Sequence, residues 1–241
     1  MKTAGEVIIR AEKLSKYYGD GEALVKSVDQ VDLSLRRGEI TAIVGKSGSG
    51  KTTLLHMLGG LELPTAGRVI LEGHSLYEMK DSARTRFRRA RVGFIFQKFQ
   101  LIPDMTVRQN LHFPLHVAGR EPDPDYEREL TAMLDLDDRL GFYPHQLSGG
   151  GQQRAAIARA LLMKPDLILA DEPTGNIDEA AGQELLQFIG RLNRQYGQTF
   201  VIVTHDGTVA STAHRIIRLK DGRIHSDTAD GAAGEERGRE V

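Results

Sequence analysis

The chain has 241 residues, 40% of them hydrophobic and 27% charged, which suits a globular protein with one substantial core and room for a subdomain. A formal net charge of −1 offers no broad basic face for nucleic acid, and the lack of cysteine excludes disulfides, thiolate metal sites and a cysteine nucleophile. No apolar run reaches the ~20 residues that span a bilayer, and residues 1–5 are too short and polar for a secretory signal. The expectation is a chain that stays in the compartment where it is made and meets any membrane through a separate partner.

Residues 6–36 read as antiparallel sheet, because Val31, Leu33 and Leu35 alternate with Asp32, Ser34 and Arg36. Ile40–Val44 is short, apolar and β-branched, as a buried strand requires. It runs into Gly45-Lys46-Ser47-Gly48-Ser49-Gly50-Lys51-Thr52, which fits G-x-x-x-x-G-K-[ST]. Glycines let backbone N–H groups close around phosphate, Lys51 brings a point charge to the outer phosphates, and the Thr52 hydroxyl suits Mg²⁺. Thr53 sits at the start of the following helix, Lys51–Leu58, whose N-terminal dipole favours an anion.

Residues 67–73 read as a further strand. Arg84, Arg86, Arg88, Arg89 and Arg91 scatter around a helix with no aromatic interleaving beyond Phe87, which predicts a solvated face. Val92 to Phe96 forms a strand closing on Gln97, whose amide can reach a metal-bound water. Between Pro103 and Pro165 the period turns helical, as Leu130, Met133, Leu134 and Ile157, Leu161, Leu162 illustrate. This stretch, about 100–163, is expected to be a helical subdomain. Within it, Leu147-Ser148-Gly149-Gly150-Gly151-Gln152-Gln153-Arg154 places an N-capping serine before three glycines. Such glycines weaken a helix by about 1 kcal/mol each, so a bare helix N-terminus offered to phosphate is their expected use.

Leu167 to Ala170 is an apolar strand ending in Asp171-Glu172. The first carboxylate suits Mg²⁺, and the second suits proton removal from an attacking water. Residues 179–196 carry Leu185, Leu186, Ile189 and Leu192 on one helical face. Phe200 to Thr204 is a strand followed by His205, placed at the strand end where ligands of open α/β sheets bind. From 226 to 241 the chain is polar and aperiodic and is expected to be a disordered tail, leaving 1–225 as the folded domain. Strands alternating with helices predict an α/β core with a mostly parallel sheet, preceded by an antiparallel β subdomain.

These motifs in this order resemble the nucleotide-binding subunit of the ATP-binding cassette (ABC) family over nearly the whole chain. Residues 45–52 resemble Walker A of its P-loop NTPase fold. Leu147 to Gln152 resembles the LSGGQ signature, and residues 168–172 resemble Walker B with its glutamate. Gln97 resembles the Q-loop, Asn176-Ile177-Asp178 the D-loop, and His205 the H-loop. The resemblance implies an Mg²⁺-dependent ATPase in which two copies stack head to tail around two ATP molecules. Walker A of each copy would then face Ser148, Gly149 and Gly150 of the other, with Asp178 communicating across the pair. Glu172 would polarise water, His205 would steady the γ-phosphate, and Thr52, Gln97 and Asp171 would attend the metal. Tyr18 resembles the aromatic that stacks on adenine, with Tyr17 its rival. Gly151 departs from the family's Gln or Glu, which implies a weaker ATP-bound sandwich.

Residues 58–67, 93–104, 143–147 and 171–178 resemble cassettes of lipoprotein-releasing, macrolide-exporting and peptide-antibiotic-exporting systems. This implies a separate integral-membrane permease and a cytoplasmic chain peripheral to the inner membrane. A cell-division cassette of similar architecture is the alternative reading. A soluble ABC ATPase acting on DNA or ribosomes lacks its usual insertions here, and a non-hydrolysing module is disfavoured by Lys51, Glu172 and His205. The permease contact is expected along Lys98 to Asn110, where Phe99, Leu101, Ile102 and Met105 either form a docking groove or pack within the helical subdomain.

Overall fold

The computed structural model describes residues 5–228. Two long strands, β1 (Val7–Tyr18) and β2 (Val25–Arg36), pair antiparallel, as their alternating pattern requires. β3 (Ile40–Val44) is buried at all five positions, and the glycine loop leads it into α1 (Lys51–Leu58). β4 (Ala66–Leu71) and the two-residue β5 (His74–Ser75) complete the first sheet, in the order β2-β1-β4-β5. The arginine-rich α2 (Asp81–Arg91) leads to β6 (Val92–Ile95). Three helices follow: α3 (Val107–Val117), α4 (Pro124–Met133) and α5 (Gly149–Leu162). β7 (Leu167–Asp171), α6 (Glu179–Tyr196), β8 (Thr199–Thr204), the short α7 (Gly207–Ser211), β9 (Arg215–Lys220) and β10 (Arg223–Asp227) finish the described chain. The second sheet has the order β10-β9-β3-β8-β7-β6 and is parallel throughout except for β10, which is antiparallel to β9.

Because side chains alternate across a strand, the central strands feed two separate cores. Leu167 and Leu169 of β7, with Val201 and Val203 of β8, face α1 and the antiparallel sheet. Ile168 and Ala170, with Phe200 and Ile202, face α3, α5 and α6. Burial on both faces explains why these strands read as continuous apolar runs. Helix α1 lies between the two sheets, with Leu54, Leu55, Met57 and Leu58 almost fully buried, each contributing about 1.5–3 kcal/mol. The phosphate loop is thereby anchored to the most buried part of the molecule.

Two expectations need correction. Helix α2 buries no residue, yet its arginines are not simply solvated. Arg88 donates to the Gly60 carbonyl at the end of α1 and Arg89 to the Val117 carbonyl at the end of α3, each at 2.9 Å. Arg91 pairs with Asp166 at 2.9 Å and Arg84 with Asp81 at 2.6 Å. Cations near helix C-termini answer the carbonyls and dipoles exposed there. Second, the polar tail begins later than 226: Ser226 and Asp227 belong to β10, opposite Arg218 and Ile217. Residues 229–241 lie outside the described residues.

Candidate functional site

The loop after β3 is shaped by Gly50, whose φ of +95° is open to glycine at little cost, and where a Cβ would lie 1.9 Å from the Ser27 carbonyl oxygen. Lys51 is only 7% exposed, and its ammonium donates to the carbonyls of Gly45 at 2.9 Å and Lys46 at 3.0 Å. The charge is therefore held within the hollow of its own loop. Ser47, Gly48, Gly50, Lys51, Thr52 and Thr53 line a cleft of about 500 Å³ together with Ser27, Gln97, Glu172 and His205.

On the facing strand ends, the Thr52 hydroxyl donates to Asp171 Oδ1 at 3.0 Å. Burial holds the Asp171 carboxyl above its ordinary range, with the Thr52 hydrogen bond opposing that rise only in part. Glu172 turns off β7 with φ +44°, in the left-handed region that non-glycine residues rarely occupy. Its N–H donates to Val203 O at 2.9 Å, and its carbonyl accepts from Gly175 N at 3.0 Å. That turn brings Glu172 Oε1 within 2.8 Å of His205 Nδ1, whose N–H donates to the carboxylate. The glutamate side chain is 14% exposed and the histidine 70%, so the pair has a sheltered base and an open face. Gln97 follows β6 at the cleft rim, and its carbonyl accepts from Asn176 Nδ2 at 2.7 Å.

The two tyrosines separate by register. Tyr18 lies opposite Val25, two residues before Ser27 in β2. Ser27 Oγ donates to Thr53 Oγ1 at 2.9 Å, so this end of β2 adjoins the helix that follows the phosphate loop. Tyr18 is 43% exposed, with the Lys16 ammonium 5.0 Å from its ring. Tyr17 lies opposite Lys26, and its hydroxyl donates to Asp29 at 2.5 Å.

Sequence reading missed Ser27 and the support behind the loop. Gly222, in the turn between β9 and β10, donates its N–H to Ser49 O at 3.1 Å and accepts from Asp29 N at 2.8 Å. The signal was available: Asp221-Gly222 between two short strands is a hairpin turn, and both residues have positive φ, +48° and +75°. Nothing in the pattern around Ser27 marks it.

Ser148, Gly149, Gly150 and Asp178 do not line this cleft. Ser148 caps α5 by accepting from Gly151 N at 3.2 Å, and Asp178 caps α6 by accepting from Ala181 N at 2.9 Å. Gly149 and Gly150 also have a local reason that was not foreseen. A Cβ on the first would lie 3.1 Å from Asn176 O, and on the second 3.0 Å from Ala181 Cβ. Phe99, Leu101, Ile102 and Met105 are all half-buried, with Leu101 packed on the core. The fully buried Asn110 knots it by accepting from Ile102 N at 2.7 Å and donating to the carbonyls of Ile102, Met105 and Thr106. Among the described residues, no helix is long and apolar enough to cross a membrane.

The family model described as ABC transporter matches residues 28–175. The lipoprotein-releasing system ATP-binding protein LolD of Shewanella frigidimarina is 40% identical, over 97% of this chain and 99% of its own. The dimeric bacterial ABC transporter cassette MJ0796 superposes with a TM-score of 0.84 at 39% identity, covering 91% of this chain and 97% of that one. MJ0796 in a dimeric post-hydrolysis state, bound to ADP and Pi, gives 0.83 at the same identity and coverage.

Proposed function

The chain belongs to the ABC transporter family, and from that premise we propose how its residues work and what they move. It is the ATP-binding, ATP-hydrolysing subunit of a membrane transport system. The observation that carries the residue assignments is the convergence of Lys51, Thr52, Glu172 and His205 on one cleft, with Asp171 hydrogen-bonded to Thr52.

The N–H groups of residues 45–53 and the Lys51 ammonium receive the phosphates, and Tyr18 stacks on adenine. Thr52, Asp171 and Gln97 would hold Mg²⁺. The donor set fits, because a hydroxyl and a desolvated carboxylate already converge at 3.0 Å. The ion would supply charge neutralisation on the phosphate oxygens. Glu172 accepts a proton from the attacking water, and His205 fixes the carboxylate while its exposed face meets the γ-phosphate. Ser148, Gly149, Gly150 and Asp178 act on the nucleotide of a second copy. Their position outside their own cleft and the dimeric state of MJ0796 support that reading.

The cargo is lipoprotein, handled by a separate integral-membrane permease that docks along Lys98 to Asn110. The chain then sits on the cytoplasmic face of the inner membrane. The likeness to LolD supports this. The test is to purify the chain from membranes with its polytopic partner, reconstitute the complex, and follow lipoprotein release. Release that requires Mg-ATP is expected. Vigorous hydrolysis without release would remove the cargo and leave the ATPase.

A further inference from the structure

Gln153 lies on α5, one helical turn beyond Gly149 and Gly150 and on the same stripe. It is 1% exposed, and its Nε2 donates to the carbonyl of Pro173 at 2.7 Å. Its Oε1 is buried with no partner. A buried amide whose own oxygen stays unmet is poor economy for packing alone, so what it contributes is the donor it gives the buried Pro173 carbonyl. The retained contact is to the residue that directly follows Glu172.

Glu172 needs such support. Its backbone holds a left-handed conformation at φ +44°, and that conformation aims the carboxylate at His205. The turn is fastened on one side by Val203 O and closed locally by Gly175 N. Pro173 has no N–H of its own to contribute, so its carbonyl is the handle left for a third fastening. Gln153 takes it from the helix whose first turn carries Ser148. That first turn is seated without slack, since a Cβ on Gly149 would press on Asn176 O and one on Gly150 on Ala181. A displacement of α5 therefore reaches residues 173–181 directly.

We propose that Gln153 is a positioning residue that ties the geometry of Glu172 to the position of the α5 N-terminus. It rests on the reading of Glu172 as the base. Whatever engages Ser148 and the adjoining glycines then bears on the base of the same chain. A hydrogen bond at the base's own turn thus links the two halves of the machinery.

The test uses the full chain. Gln153→Met keeps length and volume but removes the donor, and Gln153→Leu serves if the Met variant does not fold. Misaiming the carboxylate is expected to lower kcat on the order of 10- to 100-fold. KM for ATP and the Kd of a fluorescent ATP analogue should stay within about twofold, since binding is not the step affected. In a Glu172→Gln background the same substitution should cost nothing further, because the group it positions is gone. An unchanged kcat, a parallel rise in KM and Kd, or an equal loss in the Glu172→Gln background each overturns the assignment. Near-normal hydrolysis by Glu172→Gln alone rejects the base itself. An inert Gln153→Met beside an inactive Glu172→Gln rejects only the positioning role.

Discussion

Lys51 and Glu172 are the two residues whose replacement separates binding from chemistry. The Lys51 ammonium is already desolvated and hydrogen-bonded inside the loop, so its charge is presented at full strength to an incoming phosphate. Lys51→Ala removes charge-assisted contacts of about 1.5–3 kcal/mol, a loss of roughly 10- to 100-fold in ATP affinity measurable by calorimetry. Glu172→Gln keeps the shape but cannot accept a proton. Its kcat should fall by about 10²–10⁴-fold while ATP still binds, as single-turnover kinetics would register. The types and spacings of Lys51, Thr52, Asp171, Glu172 and His205 were readable from the chain, because each closes a recognisable strand or opens a helix. The left-handed turn at Glu172 was not. A φ of +44° at a glutamate depends on groups more than 20 residues away, such as Val203 O.

The β9–β10 hairpin shows how an element distant in sequence supports the loop. It went unread, although Asp221-Gly222 is a strong hairpin signal, because the preceding Arg215–Lys220 mixes apolar and basic residues. Its turn braces Ser49 and the backbone of Asp29, and Arg215 fastens its far end to Asp227 at 2.8 Å and to Ser34 O at 2.7 Å. The side chains of Arg215 and Asp227 are 9% and 8% exposed, so breaking the pair takes a charged partner from a buried guanidinium. Asp227→Ala should destabilise by about 3 kcal/mol or more. At this chain length that lowers Tm by roughly 6–12 °C in a thermal melt. A change of under a degree would mean that the hairpin is held by its ladder alone. By contrast, α1, α6 and β3 were legible to the residue, since period and flanking glycines agree there.

At the scale of the molecule, two sheets share one helix and meet again through Asp29. Its carboxylate accepts from Tyr17 and from Arg223 of β10, and these hydrogen bonds, the tyrosine's first, hold it below the usual aspartate range. The folded value then lies under the unfolded one, so the stability it contributes is complete above about pH 4 and is lost as pH falls through the folded value. Asp29→Asn should therefore flatten the acid limb of Tm against pH, and an identical limb would discount the link. Assembly belongs to the same scale. Glu172→Gln should accumulate ATP-dependent dimers on size-exclusion chromatography, because closed pairs no longer turn over. Strict monomers with bound ATP would contradict the shared site.

Composition and spacing alone decided that this chain is an α/β ATPase of the ABC family, and they named most of the side chains that gather at its cleft. Those features are local: a glycine loop, a strand end and a helix cap each span fewer than ten residues, and each obeys short-range sterics and hydrogen bonding. Folding in three dimensions decided that the Tyr17 hydroxyl is tied to Asp29, that the arginines of α2 answer helix ends, and that a hairpin near the C-terminal end of the described chain supports residues near 50. These depend on pairings between segments far apart in the chain, where register and burial are set by the whole core.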